Sequence, residues 1–144
     1  MGDFKTARSR YPTNTAYVRT ARDRVRRVAL DWGLTESVTD DLALLTSELV
    51  TNAVIHVGSA TGREIGVTLR LSPECVRLEV RDSGATLPTP REPDQEDQNG
   101  RGLLLVGMLA DRWDVITQVV GKTVFAEIDL KKPTPVSSKG VVRV

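Results

Sequence analysis

The strongest constraint on the fold is a change in hydrophobic period along the chain. Apolar residues recur at three- and four-residue steps in two segments, which predicts helices over Thr15–Trp32 and Ser37–His56. Apolar and polar residues then alternate over 65–71 and 76–80, which predicts a hairpin of two strands. This order lacks regular βαβ alternation. It predicts an α+β two-layer sandwich, with a mixed, mostly antiparallel sheet and helices on one face.

A single domain accounts for most of the chain. The 144 residues are 40% hydrophobic and 27% charged, which is typical of one globular domain with a real core. We predict that this domain spans 14–130. Residues 1–13 are polar and are predicted to form an N-terminal segment with a short edge strand over Thr6–Tyr11. Residues 131–144 are rich in Pro, Ser and Gly and are predicted to be a flexible tail.

The second half of the domain predicts a long loop, a short helix and another hairpin. Residues 85–99 contain three prolines and almost no large apolar side chains, so we expect a functional loop there. The apolar run Leu103–Asp111 predicts a short helix. Trp113–Val120 and Thr123–Leu130 predict two strands around Gly121-Lys122.

The helix ends carry their own signals. Asn14 is predicted to cap the first helix, and Gly33 is predicted to stop it. Ser37 with Asp40 resembles a capping box in which Asp takes the usual place of Glu. These residues therefore predict that the second helix begins at about Ser37.

Composition disfavours several functions. The net charge of +1 gives no global sign of nucleic-acid binding, and one His with one Cys nearly excludes a structural zinc site. No apolar run approaches the about 20 residues that a membrane span needs. Cys75 is the only cysteine, and the N-terminus lacks the apolar core of a signal peptide. We therefore expect a cytoplasmic protein.

One local charge excess stands out on the first predicted helix. It is either a solvated helix face or a surface for an acidic partner, and a homodimer contact there is a further option. The arginines concerned are Arg19, Arg22, Arg24, Arg26 and Arg27.

The chemistry-bearing residues begin with Glu48 and Asn52, which lie four apart in the second helix and so share one face. A carboxylate beside a carboxamide suits a hard cation together with a water or hydroxyl held by a base. Alone, such a pair is most often solvated surface. Three motifs strengthen it: Asp82-Ser83-Gly84 after a strand, Asn99-Gly100-Arg101-Gly102 before a helix, and Gly121-Lys122-Thr123 in a hairpin.

Two familiar phosphate-binding motifs are absent. Gly121-Lys122-Thr123 is not a P-loop, because Ile116 stands where the pattern needs Gly and no helix follows. Gly100-Arg101-Gly102 is not a dinucleotide fingerprint, because no strand precedes it and Leu105 replaces the third glycine. It is either an ordinary helix start or, with Arg101, an anion site at a helix N-terminus.

Taken together, the segments resemble the GHKL ATPase superfamily with its Bergerat nucleotide-binding fold, and within it the short anti-sigma-factor serine/threonine kinases. The resemblance covers Tyr11–Leu130. The matching motifs are Glu48–Ala53 for the N box, Asp82-Ser83-Gly84 for the G1 box, Gly100-Arg101-Gly102-Leu103 for the G2 box, and Gly121–Val124 for the closing Gly-x-Thr.

The resemblance implies ATP and Mg²⁺ as cofactors and gives each matching residue a role. Asn52 would bind the Mg²⁺, and Glu48 would be the general base for an attacking serine hydroxyl or water. Asp82 would accept a hydrogen bond from the adenine N6 amine, assisted by Thr123. Gly84 would allow the backbone to approach the base.

The resemblance also assigns the phosphate end of the site. Residues 85–99 would form the ATP lid, and Gly100, Arg101 and Gly102, with Leu103, would cradle the phosphates. One departure is Thr86, which replaces the second glycine of the fuller Asp-x-Gly-x-Gly motif and affects the expected lid hinge and nucleotide affinity. His56 could face the same pocket, although a capping or packing role is favoured.

Three functions follow from the resemblance. The first is a serine/threonine kinase of a partner-switching system, which binds a sigma factor and phosphorylates a small antagonist protein. The second is an ATP-responsive interaction regulator with little or no kinase activity. The third is a detached histidine-kinase ATPase domain, which is less favoured because no helix with a phospho-accepting His precedes the domain. Neither nucleic acid nor a membrane is an expected partner.

Overall fold

The structure is a computed structural model that describes residues 4–57, 63–82 and 104–130, without the side chains of His56 and Val57. Residues 104–109 are helical. The other elements are, in chain order, β1 (Lys5–Pro12), a short 3₁₀ helix (Thr15–Tyr17), α1 (Val18–Asp31), α2 (Glu36–Val57), β2 (Glu64–Leu71), β3 (Cys75–Asp82), β4 (Arg112–Thr117) and β5 (Lys122–Asp129).

The five strands form one sheet in the order β1-β2-β3-β5-β4. Every pairing among the described strands is antiparallel. The sequence predicted a mixed, mostly antiparallel sheet, and no parallel pair occurs among these strands. Among the described strands, β1 lies at one edge of the sheet and pairs with β2. The α+β prediction is also confirmed.

Both long helices lie on one face of the sheet and cover its apolar side chains. The helical spacing of apolar residues in α2 produces a buried stripe, in which Leu42, Leu45 and Leu49 are at most 2% exposed. They belong to one core cluster with the inward-facing residues of β2, β3 and β5. The sheet contributes Ile65, Val67, Leu69, Val76, Leu78, Val80, Ala126 and Ile128.

The other face of the sheet carries charges that pair across the strands. Arg77 on β3 donates to Glu127 on β5 at 2.9 Å, and Arg112 on β4 donates to the same carboxylate at 2.7 Å. The hydrogen bond from Arg112 is the largest cause that holds the pKa of Glu127 below its ordinary value, and the bond from Arg77 adds to it. Partial burial of the carboxylate acts in the opposite direction and raises the pKa. The guanidinium of Arg77 also lies 3.8 Å from the centre of the Phe125 ring. The described charges of this face therefore stabilise one another across neighbouring strands.

The helix ends match the sequence predictions except at one residue. Asn14 caps the first helical turn, because its side chain accepts from the Ala16 N–H at 2.8 Å. Gly33 ends the segment at φ +83°, a conformation that other residues rarely adopt. The observed start of α2 lies one residue before the approximate start predicted at Ser37. The helix begins at Glu36, and the Thr35 hydroxyl accepts from the Val38 N–H at 3.2 Å.

The proposed partner in that capping box has another role. Asp40 accepts a hydrogen bond from Arg26 at 2.6 Å and so links α2 to α1. No helix in the part of the chain that the structure describes is long and apolar enough to cross a bilayer.

Candidate functional site

A pocket opens between α2 and the strand ends at one side of the sheet. Its walls are mostly apolar, which suits a flat organic ring, and three polar side chains reach it. The described residues that line it are Leu49, Asn52, Ala53, Val80, Asp82, Val115, Lys122 and Val124.

Asp82 is the buried carboxylate of this pocket. It is the last residue of β3, and strand alternation places it on the helix-covered face with Leu78 and Val80. Only 5% of Asp82 is exposed. Buried carboxylates need compensating interactions, and a carboxylate at a pocket wall can also accept a hydrogen bond from a ligand, which makes Asp82 a candidate binding residue.

Asn52 enters the same pocket from α2. It lies thirty positions before Asp82 in the chain, yet both side chains line one cavity. Glu48 stands one helical turn before Asn52 and is half-buried. Glu48 is not among the described lining residues, so the structure brings Asn52 and Asp82 together and leaves Glu48 beside them.

Gly121 explains how the hairpin between β4 and β5 fits against Asp82. Its φ of +76° is left-handed, and a Cβ at this position would collide with the Asp82 carbonyl oxygen. The same Cβ would lie 3.1 Å from Asp82 Oδ1. Only glycine therefore allows this close approach beside the buried carboxylate.

Thr123 and Lys122 occupy opposite faces of β5. Thr123 pairs with Arg81 on the open face of the sheet and donates to Gln118 Oε1 at 3.1 Å. The expected role of Thr123 as an assistant of Asp82 at the adenine stays a prediction, and the two residues lie on opposite faces of the sheet. Lys122 is the β5 residue directly opposite Asp82 on β3, and it lines the pocket.

Lys122 is the residue that the sequence analysis missed. The alternation of side chains along β5 could have predicted its position, because Lys122 lies an even number of residues before Val124, Ala126 and Ile128 and so shares their face of the strand. The last two of these are buried, at 0% and 2% exposure. Extending that parity back by two residues predicts that Lys122, and not Thr123, faces the helices.

The remaining predicted site residues lie outside the described residues. They are Gly84, Thr86, the segment 85–99, Gly100, Arg101, Gly102 and Leu103, together with the side chain of His56.

The donor set of the pocket fits a nucleotide better than a caged metal. Among the described residues, no three His, Cys, Asp or Glu side chains cluster as metal ligands. Asn52 offers one carboxamide oxygen, which matches the few protein ligands that a phosphate-bound Mg²⁺ takes. The apolar walls and the buried Asp82 match a purine with an exocyclic amine.

Comparison with known proteins decides the family. The profile described as "Histidine kinase-like ATPase domain" matches residues 11–128 of the chain. This chain belongs to the histidine kinase-like ATPase family. The match covers every residue that lines the pocket described above, and a domain of this family implies ATP binding. No curated protein matches the chain significantly.

Solved structures agree on the fold of this histidine kinase-like ATPase domain. One is the crystal structure of the RsbU and RsbW domains of Rv1364c from Mycobacterium tuberculosis, which superposes with a TM-score of 0.69 at 24% sequence identity. The match covers 90% of the present chain and 33% of that longer chain. The likeness supports the Bergerat-type α+β fold.

Proposed function

We propose that this ATPase-family chain is a protein serine/threonine kinase of the anti-sigma-factor type. It would bind a sigma factor and phosphorylate a small antagonist protein. The observation that carries the proposal is the convergence of Asn52 and Asp82 on one apolar pocket, with Glu48 a helical turn away. The similarity to a protein with an RsbW domain supports the anti-sigma type.

Each residue has a distinct task in this proposal. Asp82 accepts from the exocyclic amine of the base and orients the nucleotide. Asn52 offers its carboxamide oxygen to Mg²⁺, which together with ATP supplies charge neutralisation and the phosphoryl group. Glu48 takes the proton from the attacking serine hydroxyl as the new O–P bond forms and the bond to ADP breaks.

Substitution of Glu48 tests the kinase proposal. We expect Glu48→Ala and Glu48→Gln to lower phosphoserine formation on the antagonist by about 10²- to 10⁴-fold, the usual contribution of a general base, while ATP affinity stays near wild type. The measurement is transfer from γ-labelled ATP with Mg²⁺, read by mass spectrometry of the acceptor. Glu36→Ala is the matched control, because Glu36 is an exposed acid in the first turn of the same helix.

The outcomes separate two functions. Retained transfer in the Glu48 variants would contradict the assignment of the base. Tight ATP binding by wild type without any transfer would instead favour the second candidate, an ATP-responsive interaction regulator. Two observations favour that candidate: Thr86 replaces a glycine of the fuller motif, and Glu48 does not line the described pocket.

A further inference from the structure

The pocket has a second charged wall besides Asp82. Lys122 is the strand partner of Asp82, and both side chains line the same cavity. Directly opposed residues of antiparallel strands have Cβ atoms about 4.5–5.5 Å apart. The carboxylate of Asp82 and the amine of Lys122 therefore belong to neighbouring residues at the place where the purine ring of a nucleotide would enter.

The hairpin geometry keeps the two residues in this relation. Gly121 directly precedes Lys122, and its missing side chain lets the turn lie against the Asp82 backbone. The register continues for two more residues on the same face, where Val80 pairs with Val124. Lys122 lines the pocket and is half-buried, so the residue remains partly accessible to water.

Asp82 and Lys122 offer complementary hydrogen-bonding groups. An ionised carboxylate only accepts and has about four lone-pair sites, whereas an ammonium only donates and has three N–H groups. Each group can therefore bind a ligand while it keeps an interaction within the protein. A ligand edge with a donor beside an acceptor would engage both side chains.

Both common purines present such an edge. Adenine has its N6 amine as donor, beside ring nitrogens that accept. Guanine has its O6 as acceptor, beside the N1–H and the N2 amine as donors. A carboxylate alone disfavours guanine, because O6 would face another acceptor. An ammonium next to that carboxylate gives O6 a donor, while N1–H and N2 donate to Asp82.

We propose that Lys122, paired with Asp82, makes this pocket accept guanine nucleotides as well as adenine nucleotides. This inference rests on the proposed nucleotide-binding function and adds the class of purine that the site takes. Lys122 is thus a specificity-determining residue, and its effect falls on GTP more than on ATP.

Calorimetric titration with non-hydrolysable ATP and GTP analogues in Mg²⁺ tests the proposal. For wild type we expect the two dissociation constants to lie within about tenfold of each other. Lys122→Met keeps the stem and removes the charge, so it should weaken GTP about 10- to 100-fold more than ATP, the usual effect of leaving a buried acceptor unpaired. Lys122→Arg, which keeps a cationic donor, should retain GTP binding.

Controls and outcomes separate this inference from the proposed function. Lys5→Met removes an exposed cation from β1, at the opposite edge of the sheet from β4, and should leave both affinities unchanged. Circular dichroism melts confirm that each variant is folded. Wild type that binds ATP but rejects GTP, or a GTP/ATP ratio that Lys122→Met does not change, would overturn the inference alone. Absence of binding for both nucleotides would overturn the proposed function and the inference with it.

Discussion

The two faces of the same sheet use their charged residues in opposite ways. On the open face, Glu127 has guanidinium groups from two neighbouring strands as partners and is 18% exposed in its side chain. On the helix-covered face, Asp82 lines a pocket together with Asn52, Lys122 and apolar side chains, and it is 5% exposed. The comparison teaches that burial of a carboxylate alone does not mark a site. What marks Asp82 is that its neighbours leave a cavity beside it.

The largest effect that distinguishes the faces should come from the core. Leu78→Ala removes a fully buried side chain from β3, and we expect the free energy of unfolding to fall by about 2–5 kcal/mol. Arg81→Ala on the open face of the same strand is the matched control, with a change below about 1 kcal/mol. Urea denaturation measures both. Equal losses would mean that the open face is packed against something as tightly as the core.

A smaller effect tests the charge network. Glu127→Gln should lower the free energy of unfolding by about 1–2 kcal/mol at pH 7, because two charge-assisted hydrogen bonds weaken. The folded-state pKa of Glu127 lies below its ordinary value of 4.5. The ionised carboxylate of Glu127 therefore stabilises the folded state above that pH, and this stabilisation is lost as the pH falls through the folded-state pKa.

The pH dependence supplies the check on that prediction. Denaturation curves of wild type and Glu127→Gln should differ at pH 7 and converge as the pH falls below 4.5 and through the lowered folded-state pKa. Glu64→Gln is the control, because Glu64 faces Arg10 at 3.7 Å in an exposed pair and should change stability by less than about 0.5 kcal/mol. A difference between wild type and Glu127→Gln that stays constant with pH would contradict the ionic origin of the effect.

Local patterns predicted the covered face well. The stripe Leu42, Leu45 and Leu49 and the stop at Gly33 depend on helix period and on one backbone dihedral, both of which can be read from a few neighbouring residues. The α2 cap was missed because two hydroxyl residues compete within three positions, and only the observed hydrogen bond selects Thr35 over Ser37.

The arrangement of residues around Asp82 could not be predicted from the motifs alone. The motif places Thr123 at the closing strand, but the register of β5 against β3 decides which neighbour faces Asp82, and a one-residue difference reverses the face. Only the family resemblance predicted that Asn52 and Asp82 line the same pocket. Residue types and spacing alone could not bring a helix and a distant strand end together.

The most direct test of the account is nucleotide binding at Asp82. We would titrate wild type, Asp82→Asn and the control Asp114→Asn with a non-hydrolysable ATP analogue, with and without Mg²⁺, by calorimetry. Asp114 is an exposed carboxylate on the open face of β4. We expect Mg²⁺-dependent binding by wild type and Asp114→Asn, and binding weakened about 10- to 100-fold in Asp82→Asn by loss of a charged hydrogen bond. Equal affinity in all three proteins, or no binding by wild type at millimolar nucleotide, would contradict it.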